Sequence, residues 1–259
     1  MPKVGIITTG QSPRNEYVSF HRNALTALGL EGVEVLERAC LDGLTRAEIA
    51  AHEITPEKGL GIGCYVHNTT PDDRRMGAGW EEIFVDQSWY LERAQAAIDA
   101  HERDGVDIIL MCCAEMYPEG ALSSRVPLLL PYQLMFDAVR RQAEARGKIK
   151  LALLLPTDWH IGQDRATWTS QPWMSKVEPH FGIGIANGAA IEQLKANGPY
   201  DMALIWGYGD GLAPFDPETL LADISAALGC PTITPNVLNV FNGRTMLTPA
   251  WNERIHVEH

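Results

Sequence analysis

Two adjacent cysteines, Cys112 and Cys113, close the apolar run Val106-Asp107-Ile108-Ile109-Leu110-Met111. Large apolar residues in succession read as a strand buried on both faces of a parallel sheet. In open α/β sheets ligands bind beyond the carboxyl ends of such strands, where a thiol can meet them. As thiolate, cysteine is a base or a nucleophile; as a packed residue it is a small hydrophobe. Side chains alternate along a strand, so one of the two sulfurs faces a ligand and the other faces away. The loop Thr8-Thr9-Gly10-Gln11-Ser12 follows the first strand, and its hydroxyls and amides suit a carboxylate. Ser12 ahead of Pro13 also reads as a helix cap. Arg14 could clamp a carboxylate bidentately or open a helix in solvent. His67, at the end of another strand, is the histidine best placed for acid–base work, against a structural role. Glu115 is either a general acid or a surface group, and Asn236 either caps the last helix or contacts substrate.

Other chemistries find no support in the spacing. The eight histidines form no HExxH, and the five cysteines, Cys40, Cys64, Cys112, Cys113 and Cys230, match no zinc pattern. Gly59-Leu60-Gly61-Ile62-Gly63 lies in a strand pattern and opens no helix, so it is not a dinucleotide loop, and no P-loop is present. No cofactor and no metal are expected. With a net charge of −12 the chain offers no basic field for nucleic acid or an anionic membrane. The expected partner is a small carboxylate. No apolar run is long enough to span a membrane, Met1-Pro2-Lys3 enters a strand without a signal segment, and an odd number of unpatterned cysteines suits a reduced, cytoplasmic protein.

These residues need a scaffold, and 259 residues suffice for one large domain or two smaller ones. Strand-like runs alternate with helix-like stretches, the mark of α/β architecture. Strands are expected at 4–8, 33–36, 60–66, 107–113, 126–130, 149–155, 177–185, 201–206 and 232–234. Helices are expected at 15–28, 44–51, 86–102, 132–146, 158–167, 189–196, 217–228 and from 236 on. Residues 68–85, rich in Asp, Arg, Gly and Thr, read as a surface loop or lid. Trp80, Trp89, Trp168 and Trp173 fall outside the expected core and suit a bulky ligand, surface packing or a dimer contact.

The chain echoes itself. Lys3-Val4-Gly5-Ile6-Ile7-Thr8-Thr9 parallels Lys150-Leu151-Ala152-Leu153-Leu154-Leu155-Pro156-Thr157, and Asp107 to Cys113 parallels Asp201 to Gly207. Two related α/β lobes follow, with an insertion in the first around residues 55–95. The first lobe comprises 1–140 and 236–259, and the second 141–235.

The opening Gly5-Ile6-Ile7-Thr8-Thr9-Gly10-Gln11-Ser12-Pro13-Arg14 resembles the AroM-like family of the aspartate/glutamate racemase superfamily. Asp42-Gly43-Leu44-Thr45-Arg46-Ala47-Glu48-Ile49 and Pro235-Asn236-Val237-Leu238 extend the resemblance over most of the chain. It implies two pseudo-symmetric flavodoxin-like lobes, each a parallel sheet flanked by helices, with the active site in the cleft between them, and a homodimer. It implies cofactor-independent carbon-acid chemistry of racemase, isomerase or decarboxylase type. Superfamily racemases use one cysteine from each lobe. Here the first falls on Cys113, with Cys112 the near alternative, and the second falls on Gly207, followed by Tyr208-Gly209-Asp210. Thr157 matches a carboxylate-holding position. One thiol favours a one-base reaction, with Tyr208 or Asp210 as replacement acid; a tyrosine of ordinary pKa near 10 is a poor base at neutral pH. A non-catalytic binding or regulatory protein on the same scaffold is the alternative.

Overall fold

A computed structural model describes residues 1–55, 59–67, 79–156, 161–185, 188–209 and 217–248. Contacts divide the chain into two units, 1–130 with 239–259, and 131–238. The expected boundary at 140 falls inside a helix, Pro131–Arg146, that belongs wholly to the second unit.

The first unit contains β1 (Lys3–Thr8), α1 (Asn15–Ala27), β2 (Glu34–Ala39), α2 (Arg46–Ala50), β3 (Gly61–His67), β4 (Trp80–Asp86), α3 (Gln87–Arg103), β5 (Ile108–Cys112) and β6 (Leu128–Leu129). Its main sheet is parallel in the order β2-β1-β5-β6. The chain leaves β1 to one side and returns on the other, so the switch in direction lies between the carboxyl ends of β1 and β5. Thr8 and Cys112 are paired neighbours there. β5 is buried along its whole length, which explains its unbroken apolar sequence. Tyr90 on α3 lies with its hydroxyl 3.7 Å from the Met111 sulfur, so α3 covers the face to which Met111 and Cys113 point.

Residues 80–85, expected within a surface loop, are strand. β3 and β4 form an antiparallel hairpin in register from Gly61↔Asp86 to His67↔Trp80. The alternation in Trp-Glu-Glu-Ile-Phe-Val buries Ile83 and Val85. The hairpin occupies the place of the expected insertion; residues 68–78 of the proposed lid lie outside the described residues. Asp86 caps α3, accepting the Trp89 amide at 3.0 Å. Thr45 and Glu48 close a capping box on α2.

The second unit contains α4 (Pro131–Arg146), β7 (Ile149–Leu155), α5 (Ile161–Thr169), a 3-10 turn (Pro172–Lys176), β8 (Val177–Ile183), α6 (Ala189–Lys195), β9 (Met202–Ile205), α7 (Pro217–Leu228) and β10 (Thr232–Ile233). The boundary at 238 falls within α8 (Pro235–Met246). Its sheet is parallel in the order β10-β9-β7-β8, the first unit's order with β7 in place of β1, β8 of β2, β9 of β5 and β10 of β6. The sequence echo therefore has a structural basis. Asp107 accepts the Lys3 amide at 2.7 Å and returns its own amide to the Lys3 carbonyl at 2.8 Å. Asp201 does the same to Lys150, at 2.8 and 2.9 Å. An aspartate before the third strand of each sheet ties down the start of the central strand.

Trp168, expected outside the core, is fully buried. It packs edge-on against Phe136, Trp173 and Trp206 at centroid distances of 4.7, 6.1 and 5.2 Å. Trp80, Trp89 and Trp173 are half-buried.

Candidate functional site

The first unit gathers its chemistry at the carboxyl ends of β2, β1 and β5. The two cysteines separate there as strand alternation requires. Cys112 points away from α3, its sulfur 3.8 Å from the Leu110 carbonyl. Cys113, 6 % exposed, is hydrogen-bonded to the Tyr117 hydroxyl and to the Glu115 amide, both of which can donate to its thiolate. Burial and the nearby Glu115 carboxylate push its thiol up to about 12, and the two donors work against that rise by favouring the thiolate. At neutral pH Cys113 therefore holds its proton. Glu115 is buried, which corrects its reading as a surface group.

Two further thiols join Cys113. Cys40 follows β2, and its amide donates to the Thr8 carbonyl at 3.0 Å. Cys64 lies on β3, hydrogen-bonded to Thr9 and close enough to Cys40 and Cys113 for each to disfavour its ionisation. Burial pushes Cys40 up to about 12 as well. Tyr90 and Tyr117, both buried, complete the cluster. None of Cys40, Cys64, Tyr90 and Tyr117 is singled out by local spacing. The available signal is coarser: all four cysteines of the first half lie in or just after strands. Among the described residues, no group of three or more His, Cys, Asp or Glu is placed to hold a metal ion.

The donor loop after β1 is bound to its own protein. A Cβ at Gly10 would lie 1.8 Å from the Tyr65 carbonyl oxygen, so only glycine lets the loop pass against β3. The Gln11 amide donates to that same oxygen at 2.9 Å. The Gln11 side chain donates to the Leu44 carbonyl at 2.9 Å and accepts the His67 amide at 2.8 Å. Ser12 gives its amide and its hydroxyl to Asp42, each at 2.8 Å. It does not cap α1, whose N-cap position is Arg14. The Arg14 amide donates to the Glu37 carboxylate at 3.0 Å.

Arg14 is not a solvated helix-start residue. It is 2 % exposed, paired with Glu16, and lies 4.5, 5.2 and 5.4 Å from the ring centres of Tyr17, Tyr65 and Trp80. His67 is exposed; its Nε2 donates to the Ser12 carbonyl at 2.9 Å, and its ring lies tilted at 33° against Trp80 with centroids 4.1 Å apart. The structure thus brings Gln11, Ser12, His67 and Arg14 together through β3, while Thr9 joins the thiols.

The second unit, taken by itself, places Gly207 where Cys113 stands in the first, both six positions beyond the capping aspartate. Trp206 stands where Cys112 does and lies in the aromatic core. Tyr208 is buried, and its carbonyl accepts the Asn236 side-chain amide at 3.2 Å. Asn236 also bonds the Thr234 hydroxyl and accepts the Val237 amide at 2.7 Å, while Thr234 closes the first turn of α8 through the Leu238 amide at 3.1 Å. Thr157 and Asp210 lie outside the described residues.

A profile described as AroM protein matches residues 4–198. The chain belongs to the AroM family. No curated protein matches this AroM chain. Among solved structures it resembles allantoin racemase from Klebsiella pneumoniae, with 11% identity, TM-score 0.53, and coverage of 95% of this chain and 88% of that one. Arylmalonate decarboxylase gives 12%, 0.52, 95% and 93%. Maleate isomerase from Pseudomonas putida S16 gives 10%, 0.53, 95% and 92%. At these identities the likeness is one of fold alone.

Proposed function

We propose that this AroM protein is a cofactor-independent enzyme of carbon-acid chemistry, acting on a small carboxylate, with Cys113 as its proton donor. The observation that carries this reading is the placement of Cys113 beside the carboxyl end of β1, at the switch point of the first sheet, with the Tyr117 hydroxyl and the Glu115 amide against its sulfur. A thiol that holds its proton at neutral pH is suited to give it to a carbanion. In the decarboxylase form, the substrate C–C bond breaks to release carbon dioxide, its electron pair stays on carbon, and Cys113 protonates that carbon. The resulting thiolate is held by Tyr117 and the Glu115 amide until a solvent proton restores it. Thr9, hydrogen-bonded to Cys64, is the loop residue tied to the thiol cluster, while Gly10, Gln11, Ser12 and Arg14 act by fixing the loop.

Small carboxylates with an acidic α-position, including α-substituted malonates, test the reading through carbon dioxide release and proton exchange in deuterated solvent. Cys113→Ala loses turnover while keeping its melting temperature; turnover equal to wild type would overturn the assignment. A second reading, a non-catalytic binding or regulatory protein, draws on the near-complete burial of Cys113. Ligand binding without turnover across the panel would favour it.

A further inference from the structure

Cys113 is the end of a chain. Its sulfur is hydrogen-bonded to the Tyr117 hydroxyl. That hydroxyl donates to the Tyr90 hydroxyl at 3.5 Å, and the Tyr90 hydroxyl in turn lies 3.7 Å from the Met111 sulfur and is hydrogen-bonded to Cys40. The two rings stack with centroids 6.0 Å apart. The members come from the loop after β5, from α3 and from the residue after β2, and all four are buried. Each carries one proton and can both donate and accept. In such a chain the direction of one hydrogen bond sets that of the next.

We propose that Tyr117, backed by Tyr90 and Cys40, is a positioning residue that stabilises the Cys113 thiolate through a relay of rotating protons. When Cys113 gives up its proton, the Tyr117 O–H turns to the sulfur. The Tyr90 O–H turns to the Tyr117 oxygen, and the Cys40 S–H turns toward Tyr90. No covalent bond changes and no redox partner is needed; three rotations bring a donor to a buried anion. The charged and titratable groups facing the chain are Glu115 and Cys64 at the Cys113 end, and Arg93, Asp42 and Cys64 at the Cys40 end. The catalytic meaning of the relay rests on the acid role of Cys113, but the relay itself belongs to the resting protein.

Its test therefore uses no substrate. Alkylation of the native full-length protein by iodoacetamide at one alkaline pH, read by peptide mass mapping, reports the thiolate fraction at Cys113. Tyr117→Phe keeps the ring and removes the donor; it slows Cys113 alkylation about tenfold, the scale of one hydrogen bond to a charged group. Tyr90→Phe slows it by about two- to threefold, because one donor further along the chain is lost. The S–H stretching band removed by Cys113→Ala identifies the Cys113 thiol in the resting protein and serves where alkylation is slow. Tyr117→Phe moves that band to higher wavenumber. Alkylation as fast as wild type in Tyr117→Phe, or an unmoved S–H band, overturns the proposal; no effect of Tyr90→Phe overturns the relay beyond Tyr117. Failure of Cys113→Ala to abolish turnover would defeat the proposed reaction and leave these two readouts untouched.

Discussion

The two units share a strand order and part company at the tips of their strands. In the first, β1 runs into Thr8-Thr9-Gly10 and β5 into Cys112-Cys113, polar and ionisable groups packed against two tyrosines. In the second, β7 ends in Leu155-Pro156 and β9 runs into Trp206-Gly207, so the third-strand tip offers an indole committed to the core and a residue with no side chain. The same aspartate device starts the central strand in both. The scaffold is thus set at the amino ends of the strands and the chemistry at their carboxyl ends, and the latter can change without disturbing the former.

The comparison breaks most sharply at the sulfurs. Cys113→Ala lowers turnover by about 10²–10⁴, the usual weight of one acid–base group. Cys230→Ala removes the second unit's thiol from an apolar core that includes Ala203, Ile205 and Leu228, and leaves turnover within a few-fold of wild type. Equal losses in the two variants, measured on the same substrate, would erase the distinction between the units.

Acid distinguishes them next. Burial drives the His21 imidazole down to about 4, partly offset by its hydrogen bond to the Tyr17 carbonyl, and burial also lowers His101. The folded value lies below the ordinary 6.5, so the unfolded chain takes up the proton first as pH falls. The stability His21 contributes is complete above 6.5 and is lost as pH drops toward about 4, by roughly 3 kcal/mol. Both histidines lie in the first unit, so amide hydrogen exchange at pH 5 against pH 7 shows the first unit opening before the second. His21→Gln flattens that dependence. Uniform loosening would contradict the burial account.

The smallest effect sharpens the equivalence. Asp107→Ala and Asp201→Ala each remove a carboxylate from a backbone amide and cost about 1–2 kcal/mol in chemical denaturation. The amide contacts match to 0.1 Å, so the losses are expected to differ only by the small contribution of the exposed Arg146–Asp201 pair at 3.1 Å. A large cost in one alone would show the two starts to be different devices.

Much of this scaffold was legible in the sequence. Buried parallel strands announce themselves as apolar runs, and the repeated Asp-led strand marked the two halves, because a carboxylate before a strand has a fixed task at its neighbour's first amide. The β3–β4 hairpin was only half legible: Gly, Asp and Arg between the strands masked the alternation of Trp80–Val85. Strand position and alternation narrowed the thiol to Cys112 or Cys113, and only the family resemblance pointed to Cys113. The partners Cys40, Cys64, Tyr90 and Tyr117 could not be selected, since they come from separate segments that only the fold brings together. For the same reason Ser12 read as a carboxylate donor or a cap and Arg14 as a carboxylate clamp or a solvated residue, when Asp42, thirty positions on, and the Tyr17–Tyr65–Trp80 cage claim them.

The central claim, that a single sulfur of the first unit delivers the proton, is tested most directly by stereochemistry. An α,α-disubstituted malonate with two different substituents is decarboxylated in deuterated solvent, and the product's handedness and deuterium content are read by chiral separation and NMR. One proton donor predicts a single enantiomer carrying one deuterium at the new stereocentre, absent in Cys113→Ala. A racemic deuterated product, or an unchanged product from Cys113→Ala, would contradict it.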